Sequence, residues 1–254
     1  MEACPKAPEL SFNDAEVEYA CRWRLGLAVM KQGQCQLCSH NSDEWCGKPL
    51  DALSNHAQLC AKGGGRYRTH GALCKSCCRF AKQSGVEADT EEVCPQLLEG
   101  EAGSPGSREA RLDVHLWAAG NELFEEWLDV TVTHPWRQTS RKEAASRSGA
   151  AVADAEARKL ARYGSGSGGV SVSPAGFETW GRLGESCYSV LVRHAAQRCV
   201  GRCSSSPSRV LNQWLAELGV ALLRAMAATA AQASKHRRCA TDAAGESGQE
   251  EDAA

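Results

Sequence analysis

Two stretches of the chain alternate apolar and polar side chains with a period of two: Leu112-Asp113-Val114-His115-Leu116-Trp117 and Trp127-Leu128-Asp129-Val130-Thr131-Val132-Thr133. Such alternation specifies extended strands with one buried face. Gly120-Asn121 lies between them and supplies turn residues, so a reversal near Asn121 makes the two strands an antiparallel pair. Asp113 stands eight residues before position 121 and Asp129 eight after it, so the two aspartates are expected opposite each other. Parity then puts Leu112, Val114 and Leu116 with Leu128, Val130 and Val132 on an apolar face. The other face carries Asp113, His115 and Trp117 with Trp127, Asp129, Thr131 and Thr133.

Two carboxylates directly across a strand pair repel unless a cation lies between them. Oxygen donors suit Mg²⁺ or Mn²⁺. The competing reading is a solvated hairpin face whose aspartates only keep it soluble. Downstream, an Ala-, Glu-, Lys- and Arg-rich segment, 142–163, has helical composition. Within it Glu156, Lys159 and Tyr163 fall at i, i+3 and i+7 and share one stripe. A lysine there could stabilise charge on a phosphate near the aspartates; a surface helix with a local ion pair explains the same spacing.

The chain holds 14 cysteines, and its start lacks the basic-then-apolar pattern of an export signal. In a reducing compartment such cysteines serve as metal ligands or as small buried side chains. Cys35-x2-Cys38 is followed, after 17 residues, by His56-x3-Cys60, a sulfur-rich set of four that suits tetrahedral Zn²⁺. Structural zinc contributes about 10–16 kcal/mol in small peptides, enough to order a segment with little core of its own. Cys46 and His40 are spare donors. Cys74, Cys77 and Cys78, on a helical pattern over 69–83, read as core or half-exposed thiols. No acidic residue occurs between Asp51 and Glu87, while Lys62, Arg66, Arg68, Lys75, Arg79 and Lys82 all fall in this window, together with His70. A basic stretch beside a zinc module can rest on phosphates; an ordinary solvated face is the alternative. The net charge of −2 excludes a uniformly basic, histone-like protein.

Helical patterns are expected over 13–31, 69–83, 142–163, 184–199 and 210–232, and short strands over 170–173 and 177–180. The acidic stretch 87–109, with Gly100, Gly103, Pro105 and Gly106, reads as a loop, 164–169 as a flexible break, and the last 20 or so residues as a disordered tail. No apolar run is expected to approach the ~20 residues needed to cross a bilayer.

Taken in order, Arg22-x-Arg24-Leu-Gly-Leu, Cys-x2-Cys…His-x3-Cys, Gly63-Gly-Gly-Arg66-x3-His70-x2-Leu73, Arg111-Leu-Asp113-Val, Asp129-Val-Thr-Val-Thr-His-Pro135, Ala155-Glu156-x2-Lys159-x3-Tyr163 and Phe177-Glu-Thr-Trp-Gly-Arg-Leu-Gly resemble the C-terminal part of reverse transcriptases from non-LTR retrotransposons. The resemblance implies an α/β fold: a restriction-endonuclease-like, PD-(D/E)xK mixed sheet flanked by helices and preceded by a small zinc knuckle. It divides the chain into an N-terminal helix (1–32), the knuckle (33–66), the endonuclease domain (67–200), a C-terminal helix (201–233) and the tail (234–254). Asp113 and Asp129 match the two catalytic aspartates and would hold Mg²⁺ or Mn²⁺. Leu112 stands where the family has proline, and Thr131 where the signature has lysine, a role Lys159 takes from the next helix, with Glu156 and Tyr163 beside it. Zinc would be held by Cys35, Cys38, His56 and Cys60, and DNA, with RNA as a second candidate, by Arg66, Arg68, His70, Lys75, Arg79 and Lys82. The implied function is a metal-dependent DNA endonuclease acting in the nucleus; the alternative is a zinc-dependent nucleic-acid-binding module with a dead nuclease core. The chain has no Tyr-x-Asp-Asp, so no polymerase activity is expected of it.

Overall fold

A computed structural model describes residues 10–38, 45–99, 108–118, 121–163, 170–200 and 205–235. His40, Gly120, the 164–169 break and the tail beyond 235 lie outside the described residues.

The chain opens with helix α1 (Asp14–Arg24), closed at its N-terminus by a capping box between Asn13 and Glu16. It ends well before Lys31, because Gly26 turns into the left-handed region (φ 68°). A two-stranded ribbon follows, β1 (Gly33–Gln34) and β2 (Pro49–Leu50), then the short helix α2 (Asn55–Leu59). Helix α3 (Gly65–Gln83) begins a turn earlier than the apolar spacing predicts. Gly63 and Gly64 both have positive φ, and a side chain at Gly65 would strike Thr229 at 2.5 Å, so this triple glycine lets the chain turn tightly beneath a neighbouring helix.

The principal sheet has the order β3 (Glu87–Glu99), β4 (Arg108–Ala118), β5 (Asn121–Thr133), β6 (Val172–Glu178). The first three strands are antiparallel neighbours, and β6 runs parallel to β5. Helices α4 (Arg141–Ser146) and α5 (Ala150–Tyr163) make the crossover between β5 and β6. The single helix expected there is split at Gly149, which has φ 81°. After β6 come α6 (Glu185–Cys199) and α7 (Pro207–Ser234). The fold is therefore mixed α/β, a four-stranded mixed sheet with helices packed on it.

The stretch over 87–99 corrects the loop expected there. Its charges sit on an outer strand: Glu87, Asp89 and Glu91 are exposed while Val86, Ala88 and Cys94 are buried. Charged side chains on an edge strand keep it from pairing with another chain, and they also hide its alternation.

The main core lies between the sheet and α3, α6 and α7. Val114, Leu116, Leu128 and Val130 enter it as parity requires, against Phe80, Phe177, Leu191 and Trp214. Trp214 is fully buried, stacked on Phe80 at 4.9 Å, with its indole N–H donated to Gln83. Leu112 departs from its predicted face and packs instead with Cys94, Ala110 and Trp127. Opposite position 113 in the neighbouring strand, Glu91 takes a left-handed conformation (φ 61°). Helix α7, at 28 residues, is the one described helix long and apolar enough to cross a bilayer by composition, which corrects the expectation of none. Here Trp214, Leu218, Leu222 and Met226 put its apolar face into the core.

Candidate functional site

The register of β4 with β5 follows the sequence expectation, with Val114 opposite Leu128 and His115 opposite Trp127. The ladder stops there, one position short of the aspartates. Beyond it the strands splay, and the Asp113 carboxylate enters the gap, accepting a 2.6 Å hydrogen bond from the Val130 N–H. His70 of α3 fills the same gap, its Nε2 3.2 Å from both the Val130 carbonyl oxygen and Asp113 Oδ2. Side chains thus satisfy backbone groups that the partner strand has abandoned.

Asp129 is buried beneath α5, whose Lys159 ammonium lies 2.7 Å from each of its carboxylate oxygens. Tyr163, one turn further along α5, also hydrogen-bonds Asp129, and the Asp113 and Asp129 carboxyl groups are in hydrogen-bond contact with each other. Burial pushes Asp113 up, but the hydrogen bond and charge of His70 outweigh it and hold its carboxyl below the usual range. Asp129 moves the other way: burial, reinforced by its contact with Asp113, outweighs Lys159 and raises it. His70 is held protonated up to about 10, chiefly by its hydrogen bond to Asp113. Asp129 Oδ2 is buried and accepts no well-directed hydrogen bond, because the ammonium bonds through Oδ1.

A cleft of about 750 Å³ opens beside this cluster, lined on one side by Thr131, Thr133, His134 and Arg137, and on the other by Leu59, Arg66 and Tyr67. His70 and Lys159 also line it, and its described lining contains no acidic side chain.

Glu156 is not part of this group. Its carboxylate turns to the start of α6 and accepts the N–H groups of Gly176 (3.0 Å), Ser186 (3.1 Å) and Cys187 (3.2 Å). Glu178 does the reciprocal service for α5 by accepting from Val152 N. The predicted basic grip is also divided. Arg66 faces the cleft, and His70 belongs to the Asp113 cluster. Arg68 is bonded to Thr229 and Gln232 of α7. Lys75, Arg79 and Lys82 border a different, shallow surface, with Arg79 paired to Glu217 and Lys82 3.6 Å from Asp89.

The donors that converge are Cys35, Cys46, His56 and Cys60, with Cys46 where the spacing offers Cys38. Cys35, Cys46, His56 and Cys60 bring one donor atom each within 4.8 Å of the others. The Cys35 and Cys60 sulfurs are 4.0 Å apart, and Cys46 Sγ is 3.3 Å from His56 Nε2. Cys38 is replaced for a reason of pleating. The β1–β2 register continues outward, pairing Cys38 with Trp45 and bonding Cys46 N to Leu37 O. Residues opposite each other on a ribbon share a face, so Cys46 joins Leu37 and Cys35, and Cys38 falls on the other side. Asp51 fixes the remaining pair, its carboxylate accepting from the N–H groups of Leu53, Asn55 and His56 at the start of α2. Burial pushes the Cys35 thiol up to about 12, also raises Cys60, and lowers His56. Three sulfurs and one imidazole at this separation form a set able to hold a metal ion, with donor chemistry compatible with structural zinc.

The lobe around this set docks on the far end of α7, through Gln36 N to Ala233 O (2.9 Å) and Gln58 Nε2 to Met226 O (3.0 Å). Compared with known proteins, the chain matches no family model and no curated sequence.

Proposed function

We propose that this chain is a metal-dependent DNA endonuclease of the non-LTR retrotransposon reverse-transcriptase type, with a PD-(D/E)xK core and structural zinc held by Cys35, Cys46, His56 and Cys60. The observation that carries the reading is the meeting of Asp113, Asp129, Lys159 and Tyr163 where β4 and β5 splay, beside a cleft lined by cationic side chains. Asp113 and Asp129 would hold Mg²⁺ or Mn²⁺, which activates water and stabilises the leaving oxygen of a phosphodiester. Lys159 keeps Asp129 in place and sets a positive charge at the cleft wall, where negative charge builds on the phosphate. Tyr163 also hydrogen-bonds Asp129. Arg66 and Arg137 attract the nucleic-acid backbone, and the substrate would put the protein in the nucleus.

The test is nicking of supercoiled plasmid in Mg²⁺ by the wild type against Asp113→Ala, Asp129→Ala and Lys159→Ala. Loss of nicking in all three supports the mechanism; equal nicking by wild type and the aspartate variants removes it. One observation favours a second reading, a nucleic-acid-binding module without cleavage. Both carboxylates already have cationic partners, His70 and Lys159, and Thr131 stands where the signature lysine would be. Salt-dependent DNA binding with no nicking in Mg²⁺ or Mn²⁺ would select it.

A further inference from the structure

We propose that His70, Cys74 and Asp113 form a second metal site, selective for a thiophilic divalent ion such as Zn²⁺ and sharing Asp113 with the carboxylate pair. The sequence spacing allows it, because His70 and Cys74 are i and i+4 on α3 and lie on one helix face. The geometry favours it. Cys74 Sγ lies 3.6 Å from His70 Nδ1 and 3.8 Å from Nε2, and Nε2 lies 3.2 Å from Asp113 Oδ2. A tetrahedral zinc ion, with bonds of about 2.0–2.1 Å to N and O and about 2.3 Å to S, separates N from S by about 3.6 Å and N from O by about 3.3 Å. The three donors lie within 4.8 Å of one another, and a turn of the Cys74 thiol off the imidazole face would bring its sulfur to an ion flanked by Nε2 and Asp113. The Val130 carbonyl oxygen is also 3.2 Å from the same nitrogen, the separation a fourth oxygen ligand would have.

The donor set decides the class of ion. Mg²⁺ takes oxygen and leaves thiolate and imidazole alone, whereas one sulfur, one nitrogen and oxygens suit Zn²⁺ or Co²⁺. Cys74 is buried, and His70 opens on the cleft, so an ion entering there reaches Cys74 past the imidazole. Binding releases the Cys74 thiol proton and any proton on His70 to solvent. An ion held here would occupy Asp113 and oppose Mg²⁺ at the carboxylate pair, so zinc would inhibit cleavage. That regulatory consequence rests on the endonuclease reading; the site itself does not.

The test counts metal on the full chain, without DNA or Mg²⁺. Metal-free protein, kept reduced and anaerobic, is titrated with Co²⁺, followed by native mass spectrometry and by the sulfur-to-cobalt charge-transfer band. The expected result is one more ion per chain in the wild type than in Cys74→Ser, with the same loss in His70→Gln, a half-exposed position where the fold is less at risk. Equal stoichiometry in the wild type and in folded His70→Gln overturns the site. A chain that binds the extra ion but never nicks plasmid keeps this site and overturns the endonuclease; one that nicks but lacks the extra ion does the reverse.

Discussion

Replacing Glu156 by alanine removes the acceptor for three backbone N–H groups at once, two of them on buried bonds (Gly176 and Cys187) and one part-buried (Ser186). Leaving a buried donor without a partner costs about 1–3 kcal/mol. Two such donors at about 2 kcal/mol each, with a smaller contribution from Ser186, make a loss of about 4 kcal/mol. A chain of this size loses about 2–4 °C of Tm per kcal/mol, so Tm should fall by on the order of 10 °C. Glu156→Gln keeps one acceptor oxygen for Gly176 and Cys187 and should lose only the smaller Ser186 contribution. Chemical denaturation and thermal melts of both variants supply the numbers. Because the carboxylate faces α6 and not the aspartates, the proposed nicking activity per folded molecule should be unchanged in Glu156→Gln. A loss below about 1 kcal/mol in the alanine variant would refute the capping role. Loss of nicking in a fully folded Glu156→Gln would return this residue to the aspartate cluster.

Three further outcomes are expected. His134 is buried, and its Nδ1 accepts from Trp136 N at 3.0 Å; burial lowers it from 6.5 to about 4. Its contribution is fully present above pH ~6.5 and is lost as pH falls toward 4, up to about 3 kcal/mol, so His134→Gln should flatten the acid limb of a stability–pH curve by that amount; an unchanged limb would contradict it. With zinc bound as proposed, Cys46→Ser should lower metal content and Tm, whereas Cys38→Ser should keep metal content near wild type, as measured by metal analysis; the opposite pattern would make Cys38 the ligand. Thr179 is buried with its hydroxyl oxygen unpartnered, so Thr179→Val should leave Tm unchanged or raise it by the equivalent of up to ~1 kcal/mol; a drop of several degrees would show a partner for that hydroxyl.

The strand pair was legible in the sequence because both signals behind it are local: alternation of side chains and equal distance from a turn. These fix the Val114–Leu128 and His115–Trp127 pairs and put Val114, Leu116, Leu128 and Val130 in the core, with the aspartates one step beyond the ladder. The i, i+3, i+7 stripe on α5 also brings Lys159 and Tyr163 to Asp129. What escaped was set by tertiary context. Nothing local announces the left-handed turn at Glu91 or the packing of Leu112 with Cys94 and Trp127. Glu156 shares a stripe with Lys159, yet its position on α5 sets it against β6 and the start of α6, where three N–H groups hold it. The preference for Cys46 over Cys38 depends on a ribbon register that the Cys-x2-Cys spacing, read as a tight knuckle, does not contain. Arg68 and Arg79 are committed to α7, more than a hundred residues away, which no charge count along the chain can show.

The cleft has two jaws of different origin. One is the sheet, through Thr131 and Thr133; the other includes Gln58, Leu59 and Ala61 from the cysteine lobe. That lobe is moored to α7 by main-chain oxygens at Met226 and Ala233, and α3 starts against the same helix at Thr229. The gap between the jaws is therefore gauged by a single rod, and an ion gained or lost at the cysteine set would alter the width of the mouth even if the aspartates beneath it never moved.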